Sequence, residues 1–191
     1  MDFSYSFAGL VVGFVVGLTW VGGGSLMTPI LVLAFGINPA VAVGTDLLYA
    51  SITKAGGGIV HARQKTVDWS VAGLLAAGSI PSTLATTVVL RHLEDIGRNI
   101  TALINTTLGV ALVLTALALL ANQWLRRSHI GEAALSKGLH GRARAVTTVA
   151  VGIVLGALVT LTSVGAGALG AVALLFLYRN MPAVKIAGTD I

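Results

Sequence analysis

The sequence predicts an all-α, multi-span membrane protein organised as an inverted-topology repeat with glycine-broken helix hairpins. Charged residues make up only 10% of the 191, and the mean hydropathy of +0.92 exceeds what a soluble domain of this size carries. Apolar segments of bilayer length recur to the end of the chain, as membrane helices require. The opening of the chain also reappears near its close, which points to internal duplication.

The apolar stretches between charged punctuation run over 3–20, 23–37, 40–60, 70–90, 100–121, 146–163 and 165–178, with a further start at 183. The first pair meets at Gly22-Gly23-Gly24, inside "TWVGGGSLMTP", and the sixth and seventh meet at Gly165-Ala166-Gly167, inside "TSVGAGALG". Each pair reads as a hairpin, either fully spanning or re-entrant. The start "MDFSYSF" has an acidic Asp2 and no basic region, so it does not read as a cleaved leader. Cysteine is absent, which removes disulfides and thiolate metal sites. The net charge of +5 reflects loops facing the cytoplasm rather than nucleic-acid binding.

Orientation follows from Lys and Arg in the loops. The loop 122–145 holds Arg126, Arg127, Lys137, Arg142 and Arg144, the loop 61–69 holds Arg63 and Lys65, and Arg179 and Lys185 fall on the same side. In "RHLEDIGRN", Arg91 and Arg98 are accompanied by Glu94 and Asp95, as suits the opposite face. This places the N-terminus outside. Trp20, Trp69 and Trp124 suit interfacial belts, and Pro81 in "GSIPS" is expected to kink its span.

Sliding residues 9–46 onto 152–190, with one inserted residue, matches 17 of 38 positions, among them Gly9/Gly152, Gly13/Gly156 and Leu26/Leu169. "PAV" at 39–41 recurs at 182–184, and "GTD" at 44–46 recurs at 188–190. Five segments separate the copies, an odd number, so they enter the membrane from opposite sides. The resulting division is a first transmembrane repeat over 1–121, a basic cytoplasmic loop over 122–145 and a second repeat over 146–191. Only Ile191 follows Asp190, whereas Asp46 is followed by two and a half further spans, so the second repeat is expected to be incomplete.

Inverted repeats with broken helices are a signature of secondary transporters, whose sites lie near the bilayer midplane. Glycines let a ligand approach the backbone, and helices starting near Ser25 and Ala168 would present free N–H groups and partial positive charge to an anion. Close helix packing is the competing role for such glycines. Asp46 and Lys54 lie within one span, a little over two turns and about 12 Å apart on one face. They are expected to be bridged to each other or to face a cavity. Asp46 is a candidate proton- or ion-coupling carboxylate, and Lys54 a candidate anion contact, because ionisable groups at membrane depth are costly. Helix capping by Asp46 and snorkelling by Lys54 are the alternatives. His61 closes the same span and reads as an interfacial residue. No G-x-S-x-G or H-E-x-x-H occurs, and His61, His92, His129 and His140 all fall at or outside span boundaries, so no enzyme, metal site or cofactor is expected.

"GLTWVGGGSLMTPILVLAFGINPAVAVGTDLLYASITKAGG", followed by "VHARQKTVDW" and "GSIP", and the later "LTSVGAGALG" through "IAGTDI", resemble the sulfite exporter TauE/SafE family, also called the 4-toluene sulfonate uptake permease family. The resemblance implies a multi-pass permease of the bacterial inner membrane that exports sulfur-containing anions such as sulfite or organosulfonates. It implies alternating access around a midplane anion site, with a small anionic substrate and membrane lipid as partners, no nucleic acid and a homo-oligomer as one assembly. Position by position, the glycine-rich motif falls on Gly22, Gly23 and Gly24, its second-half equivalent on Gly165 and Gly167, and the "GTD" pair on Thr45, Asp46, Thr189 and Asp190; with Ser25 and Lys54 from the residue reading above, the expected substrate-binding set is Gly22, Gly23, Gly24, Ser25, Thr45, Lys54, Gly165, Gly167 and Thr189, and the expected ion-coupling pair Asp46 and Asp190. The competing reading is a membrane scaffold or assembly factor that transports nothing, or an inactive truncated permease.

Overall fold

The computed structural model describes residues 3–19, 24–95, 100–127, 141–165, 167–178 and 181–190. Among them the chain is helical without a strand: α1 (Phe3–Thr19), α2 (Gly24–Leu33), α3 (Pro39–Arg63), α4 (Trp69–Asp95), α5 (Ile100–Arg127), α6 (Arg142–Thr162), α7 (Ala168–Leu177) and α8 (Ala183–Asp190). Three helices, over Trp69–Glu94, Ile100–Ala118 and Arg142–Thr162, are long and apolar enough to cross a membrane. By contrast α2 and α7 have 10 residues each, about 15 Å and roughly half a crossing.

Local chemistry sets the ends. Asn38 accepts the Ala40 N–H at 3.0 Å and Pro39 opens α3, so the side chain caps the helix and the ring sits where no N–H is missed. Asp68 does the same for α4, its Oδ1 accepting from Ser70 and Val71 at 3.1 and 3.3 Å. The helix α4 continues through Pro81 to Asp95, and α5 runs on to Arg127, into the segment read as the basic loop.

Helices α4 and α6 form the tightest seam. A side chain at Gly78 would collide with the Val149 carbonyl, and a Cβ at Gly152 or Gly156 would stand 2.5 Å from Leu75 O or 2.6 Å from Ser79 O. Glycine is what permits this backbone approach. Ser82 Oγ donates across the seam to Ile153 O at 2.6 Å, giving it a polar clasp in an apolar setting. Gly9 and Gly13 of α1, the positions matched in sequence to Gly152 and Gly156, have open space where a Cβ would go.

Around this seam Val71, Leu174 and Ile186 join α4, α7 and α8 in one apolar cluster, while Leu108 and Ala111 of α5 close over Val164. The outer faces stay apolar: Leu48, Ile52, Leu84 and Val88 are each more than 60% exposed. In water that surface would drive aggregation; against lipid tails it is matched.

Candidate functional site

Asp46 sits eight residues into α3 and is 1% exposed. Its Oδ2 accepts from Thr28 Oγ1 at 3.2 Å and from Ser163 Oγ at 2.5 Å. Thr28 belongs to α2, just beyond the first glycine segment, and Ser163 opens the second. One carboxylate thus ties α2 to the start of the second glycine segment, through contacts 18 and 117 residues away in sequence. The other oxygen, Oδ1, is buried without a hydrogen-bond partner among the described residues.

The turn that delivers Ser163 is built by its neighbours. Thr162 Oγ1 donates to Leu158 O and accepts the Val164 N–H at 3.1 Å, fixing the end of α6. Ser163 then adopts φ 57°, a left-handed conformation that ends the helix. Gly165 follows with φ 107°, which L side chains rarely adopt. Gly167 precedes α7 directly, and Gly170 and Ala171 donate back to the Gly165 and Gly167 carbonyls. Thr28, Thr162, Ser163 and Val164 are all essentially buried, so the cluster is a closed polar island.

A second cluster forms around the other "GTD". Lys54 Nζ donates to the main-chain oxygen of Asp190 at 3.1 Å, and the Asp190 carboxylate occupies the space over Gly170 of α7. Lys54 and Asp46 are therefore not bridged to each other: each bonds to a different part of the second half. The Asp68 N–H donates to Thr189 Oγ1 at 3.0 Å, and Gly188 packs against Thr66 and the His61 ring, which is itself bonded to Thr66 Oγ1 at 2.8 Å. His61, in the last turn of α3, thus also makes a helix contact.

The remaining sequence candidates fall as follows. Gly24 is the first residue of α2, as expected for a helix starting near Ser25, whose side chain lies outside the described residues along with Gly22 and Gly23. Thr45 is exposed and its hydroxyl donates to Val41 O at 2.8 Å, apart from the Asp46 island. Thr189 is buried, donating to Lys185 O while accepting from Asp68. Thr28 and Ser163 were not singled out by sequence reasoning. The available signal was their position, as hydroxyls lying inside the two glycine motifs.

Apolar helices of bilayer length with outward apolar faces, packed around a buried carboxylate, define a helical membrane protein. The chain belongs to the sulfite exporter TauE/SafE family, which it matches over residues 5–191. It is 41% identical over 191 residues to "Probable membrane transporter protein YjnA" of Bacillus subtilis (strain 168), covering all of this chain and 74% of that one. It is also 39% identical over 69 residues to "Probable membrane transporter protein YunE" of the same organism, 36% of this chain and 25% of that one. A "Probable membrane transporter protein" of Xylella fastidiosa is 34% identical over 83 residues, 42% of this chain and 32% of that one. No solved structure matches the chain.

Proposed function

We propose that the chain is a permease exporting small sulfur-containing anions, such as sulfite or organosulfonates, by alternating access about the place where its two glycine segments meet. The observation that carries this reading is Asp46, buried and joined to Thr28 of one segment and Ser163 of the other. Family membership supports transport, and the family's description supplies the anion.

The chemistry runs from the helix ends. Helices α2 and α7 begin at Gly24 and Ala168, and their first N–H groups and dipoles favour negative charge. An ionised Asp46 beside them opposes it. Two negative charges about 5 Å apart at an effective permittivity of about 20 repel by about 3 kcal/mol, more than a hundredfold in affinity. Anion binding therefore demands that Asp46 be neutralised by a co-bound cation or proton, and that requirement couples the two ligands. The helix α8 is held through Thr189 to Asp68 and through Gly188 to His61 and Thr66.

The test is efflux from proteoliposomes loaded in turn with sulfite, sulfoacetate, taurine and thiosulfate. Flux of at least one of these, lost in Asp46→Asn while the purified variant keeps its helical content, is the expected result. Absence of flux for all four refutes the assignment.

A further inference from the structure

We infer that Asp46, Thr28 and Ser163 form a binding site for a hard monovalent cation, Na⁺, which is the neutralising partner of the transported anion. The role in transport rests on the anion-permease reading above; the binding site itself rests on the geometry of the island. Three oxygen-bearing side chains from α2, α3 and the end of α6 converge on one buried point. Both hydroxyls give their hydrogens to Asp46 Oδ2, so their lone pairs stay available, and Oδ1 has no donor among the described residues. A buried carboxylate oxygen left this way carries a desolvation penalty that a ligand would relieve.

The choice of ligand follows from the donor set. All donors are neutral hydroxyls or a carboxylate, which suits a hard cation and not a soft one. Only one carboxylate is present, and no group of three or more His, Cys, Asp or Glu occurs among the described residues, so the charge matches a monovalent ion. Both hydroxyl oxygens are held at hydrogen-bond distance from Oδ2, 3.2 and 2.5 Å, so the pocket is narrow and suits Na⁺ over the larger K⁺. The turn Ser163–Gly165, where α6 has ended and α7 has not begun, is where main-chain carbonyls leave helical bonding and become available to a cation.

The test measures thermal unfolding of the purified full chain in NaCl, KCl and N-methylglucamine chloride at equal ionic strength, with no sulfur anion added. At roughly 100-fold excess over its dissociation constant, Na⁺ should raise Tm by about 5–10 °C. Thr28→Val and Ser163→Gly, which remove a hydroxyl while respecting packing and the left-handed turn, should each weaken the apparent Na⁺ affinity at least about tenfold, and Asp46→Asn should abolish the response. Equal Tm in the three salts, an equal response to K⁺, or a Na⁺ response that survives in both hydroxyl variants overturns the site. Anion flux at full rate without Na⁺ but dependent on pH also overturns it, in favour of a proton, and leaves the permease reading standing. A Na⁺-specific Tm shift with no flux of any tested anion does the reverse: it supports the cation site and removes the transport role.

Discussion

Replacing Gly152 by alanine separates packing from propensity in a way the sequence alone does not. The added Cβ stands 2.5 Å from Leu75 O and 3.3 Å from Gly78 Cα, both backbone atoms of α4 that no rotamer change can move. Helices α4 and α6 must part, at an overpacking cost of about 3 kcal/mol. Alanine returns about 1 kcal/mol of helix propensity, leaving a net loss of about 2 kcal/mol. For a chain of this length that lowers Tm by roughly 4–8 °C. The Ser82–Ile153 bond, at 2.6 Å, should loosen with the seam. The matched position Gly9 meets nothing within 4 Å, so Gly9→Ala should leave Tm unchanged or raise it by roughly 2–4 °C. Thermal unfolding of both purified variants in one detergent checks the pair. Equal shifts, or a Gly9 variant less stable than the Gly152 variant, would refute the seam.

Gly165→Ala forces an L residue to φ 107° against Leu169, and should cost about 1–3 kcal/mol of stability in the same assay. Thr189→Val leaves the Asp68 N–H without its acceptor, at about 1–3 kcal/mol, and should speed proteolysis of the loop 64–68 in a timed digest. Asp68→Ala removes the α4 cap and should cost about 1 kcal/mol, read as a lower Tm with the overall helical signal retained. Cysteines introduced at Gly97 and Gly138 should be labelled from outside and inside respectively; labelling from one side alone refutes the orientation read from the basic loops.

Helix positions were largely legible in the sequence because membrane segments announce themselves by polarity. The starts at Gly24 and Ala168 fell where glycine runs interrupt apolar stretches, and the end of α3 where Arg63 appears. The end of α5 was placed too early, because the polar run Asn122 to Arg127 reads as a loop while helical bonding tolerates it. Asp46 stood out as a charge at depth. Its partners did not: Thr hydroxyls in apolar helices commonly bond back to the preceding turn, as Thr45, Thr106 and Thr160 do, so a place inside a glycine motif was too weak a signal to single out Thr28 or Ser163. Lys54 shares a face with Asp46 by helical spacing, yet its partner is 136 residues away, beyond the reach of any periodicity. Gly9 and Gly152 are the same letter in the same motif, and only tertiary packing distinguishes them.

The seam between α4 and α6 also constrains how the molecule can move. One helix comes from each half of the chain, and their backbones touch at Gly78, Gly152 and Gly156 with no side chains between them to act as lubricant. Sliding by even one residue would drive a side chain into a carbonyl, so the pair behaves as a single strut spanning both halves. Sliding of one half against the other is thereby opposed along this line. On the permease reading proposed above, displacement would then fall to the short pieces α2, α7 and α8, which are joined to the rest by hydroxyl bonds, one lysine and the Val71–Leu174–Ile186 cluster.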